Sequence, residues 1–175
     1  QYRNYMFDLA RFDLGPSIAF FPRSVNEILM DSVVWTVGLL ATVTLLAFTL
    51  GTLAGALLGW PRSPTYFKYL FTPLLSLSAI PYYLLALVLV FFLAFRLEWF
   101  PLFGGYGIGK LPEFTWSFVW QVAYHAVLPA LSILLASVGF WALGMRGMMV
   151  NNQGADFMVQ AEAKGLKGGR IFLLY

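Results

Sequence analysis

Three uncharged apolar runs dominate the chain: Ser32 to Gly59, Tyr69 to Phe95, and Phe118 to Met145, the last interrupted only by His125. A helix needs roughly 20 apolar residues to cross the hydrocarbon of a bilayer, so the pattern predicts three membrane spans, at about 32–59, 75–95 and 120–146. In the second run, Pro73 and Pro81 each remove a backbone donor and disfavour helix at the preceding residue. The continuous helix there is expected to start near Pro81, with Pro61 to Ser78 as an elbow and lead-in. In the first run, Gly51, Gly55 and Gly59 recur every fourth residue on one helix face. That stripe lets a neighbouring helix approach closely, either as static packing or as a face that slides or lines a pathway.

Composition removes the soluble alternative. Hydrophobic residues make up 60% of the chain and charged residues 11%, well outside the balance of soluble domains. The charges also give an orientation. The loop from Trp60 to Lys68 carries Arg62 and Lys68 with no acid, and the tail carries Arg146, Lys164, Lys167 and Arg170 against Asp156 and Glu162. Basic loops stay on the cytoplasmic side. Residues 1–31 and 96–117, where charges balance or acids exceed bases, are therefore expected outside. Trp35, Trp99, Trp116 and Trp120 then fall near outer span ends, and Trp60 and Trp141 near inner ones, as two aromatic belts would require.

The first residues lack the basic start, apolar middle and cleavage site of a signal peptide. An extracytoplasmic segment 1–31 therefore implies a preceding membrane helix, and the abrupt end at IFLLY implies a chain truncated on both sides. The outer segment FPLFGGYGIGKLPEF has the glycine and aromatic content of irregular structure, either a plain loop or a surface touching a docking partner. His125 has no second His, no Cys and no acid within a helical turn, so it reads as an outer-interface residue at a helix start rather than a metal ligand. The spans contain no Asp, Glu, Lys or Arg, against the habit of charge-relay pumps. No Cys is present, no cofactor motif is found, and no nucleic-acid partner is expected.

The tail is the most informative segment. Ala155, Met158, Ala161 and Glu162 have helical spacing, 155–164 lacks Gly and Pro, and Gly165 ends the pattern. The expected unit is a helix at about 154–165, a glycine turn, and the start of a further span at 171–175. From pattern alone it is either a solvated loop or a segment held by another protein.

HAVLPALS at 125–132, Arg146 and DFMVQAEAKGL at 156–166 resemble the inner-membrane permease subunits of ABC importers, in particular the B-type subunit of dipeptide, oligopeptide and nickel systems. The tail of that subfamily runs D-Y-V-R-T-A-R-A-K-G-L, and Asp156, Ala161, Ala163, Lys164, Gly165 and Leu166 match it. FDLGPSIAF at 12–20 is similar to the subfamily's G-D-L-G-x-S segment, with Phe12 in place of the usual Gly. The resemblance implies an all-α polytopic transmembrane bundle of the type I ABC importer permease fold. Residues 32–175 would be its transmembrane domain, holding the second to fourth of six helices.

It also implies that Asp156, Phe157, Ala161, Glu162, Ala163, Lys164, Gly165 and Leu166 form the coupling helix and turn, seated in a groove of a cytosolic ATPase subunit, with Ala161 making the close contact. Val159 and Gln160 depart from the general E-A-A-x-x-x-G pattern, and Glu162 stands where the subfamily often has Arg. No G-x-x-x-x-G-K-[ST] is present, so nucleotide hydrolysis would belong to the partner. A second permease chain forming a heterodimer, an extracytoplasmic solute-binding protein and a bacterial or archaeal inner membrane complete the implied setting. The alternatives are a secondary transporter, which needs polar or broken-helix sites at the midplane, and a non-transport membrane scaffold.

Overall fold

The computed structural model describes residues 2–107, 109–110 and 112–174, and these form helices joined by turns and irregular segments, with one isolated bridge between Pro16 and Ser24. The chain divides into two compact units, Gln1–Ala41 and Thr42–Tyr175, with the boundary inside one continuous helix.

The first unit holds helix α1 (Tyr2–Ala10) and the beginning of α2 (Val25–Gly59). Helix α1 closes with a pair of capping bonds: the Asp13 amide donates to Asp8 O at 2.9 Å and the Phe12 amide to Leu9 O at 3.0 Å. This is the Schellman arrangement, which puts its C′ residue in the left-handed region. That residue is Phe12, at φ 61°. The subfamily's usual glycine at this place thus has a conformational reason, and Phe12 occupies it against steric resistance. Beyond the cap, Asn26 Oδ1 accepts from the Leu14 amide at 3.3 Å, and the Ser17 amide donates to Arg23 O at 2.9 Å. Ser24 Oγ accepts from the Glu27 amide at 3.2 Å and so caps α2. Arg23, just before α2, reaches Asp31 on that helix at 2.5 Å.

The second unit contains the remainder of α2, α3 (Thr65–Leu77), α4 (Tyr82–Leu89) with a π-helical continuation Val90–Arg96, α5 (Trp116–Asn151), α6 (Asp156–Ala163) and α7 (Gly168–Leu174). Helices α2 and α5 are long and apolar enough to cross a membrane. Helix α3 and the α4 continuation make a third such element if the pair, bent by 100°, crosses as one span. Within the most apolar windows of α2 and α5 only 11% and 22% of residues are buried. The apolar surface therefore faces outward, where lipid or further helices would cover it.

In the second run α4 opens at Pro81, and the elbow and lead-in before it contain a helix of their own, α3. Residues 65–77 are helical straight through Pro73, and the break falls at Ser78–Pro81. One missing rung at Pro73 is tolerated inside an apolar helix, whereas Pro81 turns the preceding backbone away from helix and then opens α4 from its N-cap. His125 differs from expectation. It lies well inside α5, which starts after the Thr115 cap, and its Nδ1 is 2.8 Å from Gln121 O on the previous turn.

Where α2 and α5 meet, the glycine stripe removes the space between them. A Cβ on Gly51 would stand 2.6 Å from Val138 O, one on Gly55 2.2 Å from Ala142 O, and one on Gly59 2.6 Å from Met149 Cβ. Real atoms do not approach so closely, so the two backbones touch at these points. Val43, Ala47 and Ala54 are buried on α2 and Ala142 is fully buried on α5. Phe48 and Trp141 flank the seam edge to face at 5.0 Å.

Two outcomes follow for stability. Gly55→Ala should force the helices apart and destabilise the protein by about 1–3 kcal/mol, while Gly144→Ala on α5, where a Cβ meets nothing within 4 Å, should leave the unfolding midpoint in detergent unchanged or raise it. Equal effects would mean that the seam is not tight. Phe12→Gly should relieve left-handed strain of about 1–2 kcal/mol, partly offset by glycine's backbone entropy. Amide exchange from Arg11 to Ser17 should then slow several-fold, and faster exchange would contradict the strain assignment.

Candidate functional site

Helix α5 stops at Asn151, and Gly154, at φ +85°, swings the chain into Ala155, the N-cap of α6. Ala155 has no side-chain oxygen to offer. Its carbonyl accepts from Met158 N at 2.9 Å and Val159 N at 3.1 Å, and Asp156 puts a carboxylate in the first turn, where the helix dipole favours it. At the other end the Leu166 amide donates to Ala161 O at 3.2 Å and the Gly165 amide to Glu162 O at 2.9 Å. Gly165 lies at φ +73°. This is a second Schellman cap, with glycine at C′ where its lack of Cβ is needed.

The two faces of α6 differ. Ala161 is buried to 1% exposure and Met158 is half-buried, so the 158/161 edge turns into its own chain. Ala161, for which the resemblance implies a close contact with a partner, has its side chain buried against its own chain. Asp156, Phe157, Val159, Gln160, Ala163 and Lys164 are exposed. They include the apolar Phe157 (42%) and Val159 (56%), so the open face includes the positions that match the general family pattern least.

Glu162 departs from expectation. It pairs with Arg62 at 3.2 Å, across a sequence separation of 100. Arg62 belongs to the short turn after α2, and three further contacts join that turn to the α6 region. Gln153 Nε2 donates to Gly59 O at 2.5 Å, the Trp60 and Phe172 rings meet edge to face at 5.4 Å, and a Cβ on Gly168 would stand 2.6 Å from an Arg62 guanidinium nitrogen. The Arg62 guanidinium also lies over the Trp60 ring, 5.9 Å from its centre. The ion pair alone is more than half exposed and contributes little. The Gln153 bond and the ring contact, made at the end of the glycine seam, hold the register.

Sequence reasoning placed Asp156 through Leu166 on one helix and turn. It did not find Trp60, Arg62 or Gln153 as the seat of that helix, since Arg62 served there only as a marker of sidedness. The start of α7 carries Ile171, buried to 1% exposure. Tyr175, the end of the further span expected at 171–175, lies outside the described residues.

Residues 47–175 match the family model described as "Binding-protein-dependent transport system inner membrane component". The oligopeptide transport system permease protein OppB of Haemophilus influenzae is 30% identical over 174 residues, covering 99% of this chain and 52% of that protein. OppB of Escherichia coli is 30% identical over 173 residues, with 99% and 52% covered. AppB of Bacillus subtilis is 28% identical over 172 residues, with 98% and 52% covered. The chain thus spans about half the length of the curated relatives it matches. The outward-facing apolar helices suit a multi-pass protein of the bacterial inner membrane. The chain belongs to the family of binding-protein-dependent transport system inner membrane components.

Proposed function

We propose that this chain is part of the membrane-spanning permease subunit of an ATP-driven importer for peptides or related small solutes such as nickel chelates and oligosaccharides. In this reading α6 is the coupling helix. Its partners are cytosolic ATPase subunits, which hydrolyse the nucleotide, a second permease subunit, and an extracytoplasmic solute-binding protein. Residues 1–31 and 96–117 face outside, and the turn after α2 and the α6 region face the cytosol.

One observation carries the proposal. Helix α6 is closed by a glycine cap at Gly165 and fastened through Gln153 and Glu162 to the turn after α2, while Phe157, Val159, Gln160 and Lys164 stay open. A short helix with one anchored and one open face can receive a push on the open side and pass it to the helices behind. The names of the relatives, oligopeptide transport permeases, support the solute class.

The cap supplies the test. In the complete permease, reconstituted with its ATPases and binding protein, substitutions at Gly165 should rank by tolerance of positive φ. Asn adopts that conformation readily, Ala less so, and β-branched Val resists it at about 1–2 kcal/mol or more. Solute uptake should therefore be near normal for Gly165→Asn, reduced for Gly165→Ala and lowest for Gly165→Val, about tenfold down, with membrane insertion and ATPase-domain hydrolysis retained. Full uptake by Gly165→Val, or uptake driven by an ion gradient without ATP, would contradict the reading.

A further inference from the structure

Ser78 lies at the turn from α3 into α4, and its hydroxyl faces the middle of α5. The Oγ donates to Leu135 O at 3.0 Å and accepts from the Gly139 amide at 2.9 Å. Those two backbone groups are the acceptor and donor of a single rung of the α5 ladder. One hydroxyl can donate and accept at once, so Ser78 engages both ends of that rung from outside the helix.

The fit depends on residue 139 being glycine. An added Cβ would stand 2.2 Å from Ser78 Oγ and 2.6 Å from Ser78 Cβ, and Gly139 is buried. A side chain inserted into an i to i−4 ladder is one of the few definite causes of local bending in a helix. The two partners also sit at mechanically distinct places. Ser78 occupies the break of the 100° bend between α3 and the α4 continuation, and α5 runs from Gly139 to Asn151 and on through Gly154 to α6. A polar link between apolar helices has no water to replace it at membrane depth, so its loss is not made good by solvent.

We infer that Ser78 is a positioning residue for transport: its hydroxyl, keyed against Gly139, makes the α3–α4 corner travel with α5 when α6 is displaced. The inference rests on the import reading for the word transport, while the mechanical link it describes stands on geometry alone. The hydrogen bonds of Ser78 run to α3 and α5 and none to α6. Its role is to keep two helical elements in step.

The experiment uses the complete permease with its ATPases and binding protein in nanodiscs, carrying spin labels at Tyr83→Cys on α4 and Phe140→Cys on α5, both exposed positions. With Ser78 present, the inter-label distance should be a single narrow distribution that is unchanged between the nucleotide-free and ATP-trapped states. In Ser78→Ala it should broaden or shift on ATP binding, and solute moved per ATP should fall about fivefold, the factor that one net hydrogen bond carries in an equilibrium. Packing is separated from hydrogen bonding by the swap Ser78→Gly with Gly139→Ala, which refills the space without the hydroxyl and should remain uncoupled. An unchanged distance and an unchanged ratio in Ser78→Ala would overturn the inference, as would full recovery by the swap. If the unmodified protein moves no solute with ATP, the import reading fails, and the label distances still decide the link.

Discussion

Backbone contact between α2 and α5 is the constraint on which the second unit depends. At Gly55 there is no room for even one carbon atom between the helices, and the stripe from Gly51 to Gly59 extends that condition along the seam. Lipid offers no hydrophobic drive for two apolar helices to associate, so the attraction comes from dispersion at short range, and short range requires glycine and alanine. The seam also fixes what happens at its end. Because Gly59 lies against Met149 and Arg146, the turn after α2 emerges beside the end of α5, within reach of Gln153 and Glu162. The seat of α6 is a consequence of how tightly α2 and α5 pack.

Two helix caps show the same geometry under different side chains. At α6 the C′ position is Gly165 and the left-handed conformation is free of penalty, whereas at α1 it is Phe12 and the conformation is strained. The contrast explains why a glycine that ends a helical pattern can be read as a turn, while a left-handed phenylalanine is invisible by residue type. Only the pattern G-D-L-G-x-S, with Phe12 in its first place, hinted that this residue stands in a glycine's position.

Local features were legible in the sequence and long-range polar contacts were not. Apolar runs longer than the bilayer core leave helix as the only way to satisfy the backbone, so α2, α5 and the apolar stretch around α4 follow from composition. Spacing in fours placed Gly51, Gly55 and Gly59 on one face, and the run 155–164 ending at Gly165 gave α6 with its turn. The helix within the lead-in was not legible, because a proline can sit inside an apolar helix, as Pro73 does, or open one, as Pro81 does in forcing out the residues before it. Arg62 with Glu162 and Ser78 with Gly139 were illegible for a different reason. Each pair joins residues far apart in sequence, and a lone Ser in an apolar run or a lone Arg in a basic loop carries no sign of its partner. Ala161 was placed on the right helix, but periodicity alone does not tell which face of α6 the chain buries.

In the proposed import reading, the part of α2 from Thr42 on, α5, the turn bearing Arg62, and α6 act as one mechanical body within the second unit, with the α3–α4 corner attached through Ser78. This body, rather than α6 by itself, is what a push on the open face would move. The direct measurement is to place the pair Arg62→Cys and Glu162→Cys in the complete permease, since residues 1–175 contain no cysteine of their own, and to join them with a short reducible bifunctional thiol reagent. If α6 and the turn after α2 move as one, ATP-driven uptake is the same before and after cross-linking. Uptake that stops on cross-linking and returns on reduction would show that they must separate during the cycle, and would contradict this account.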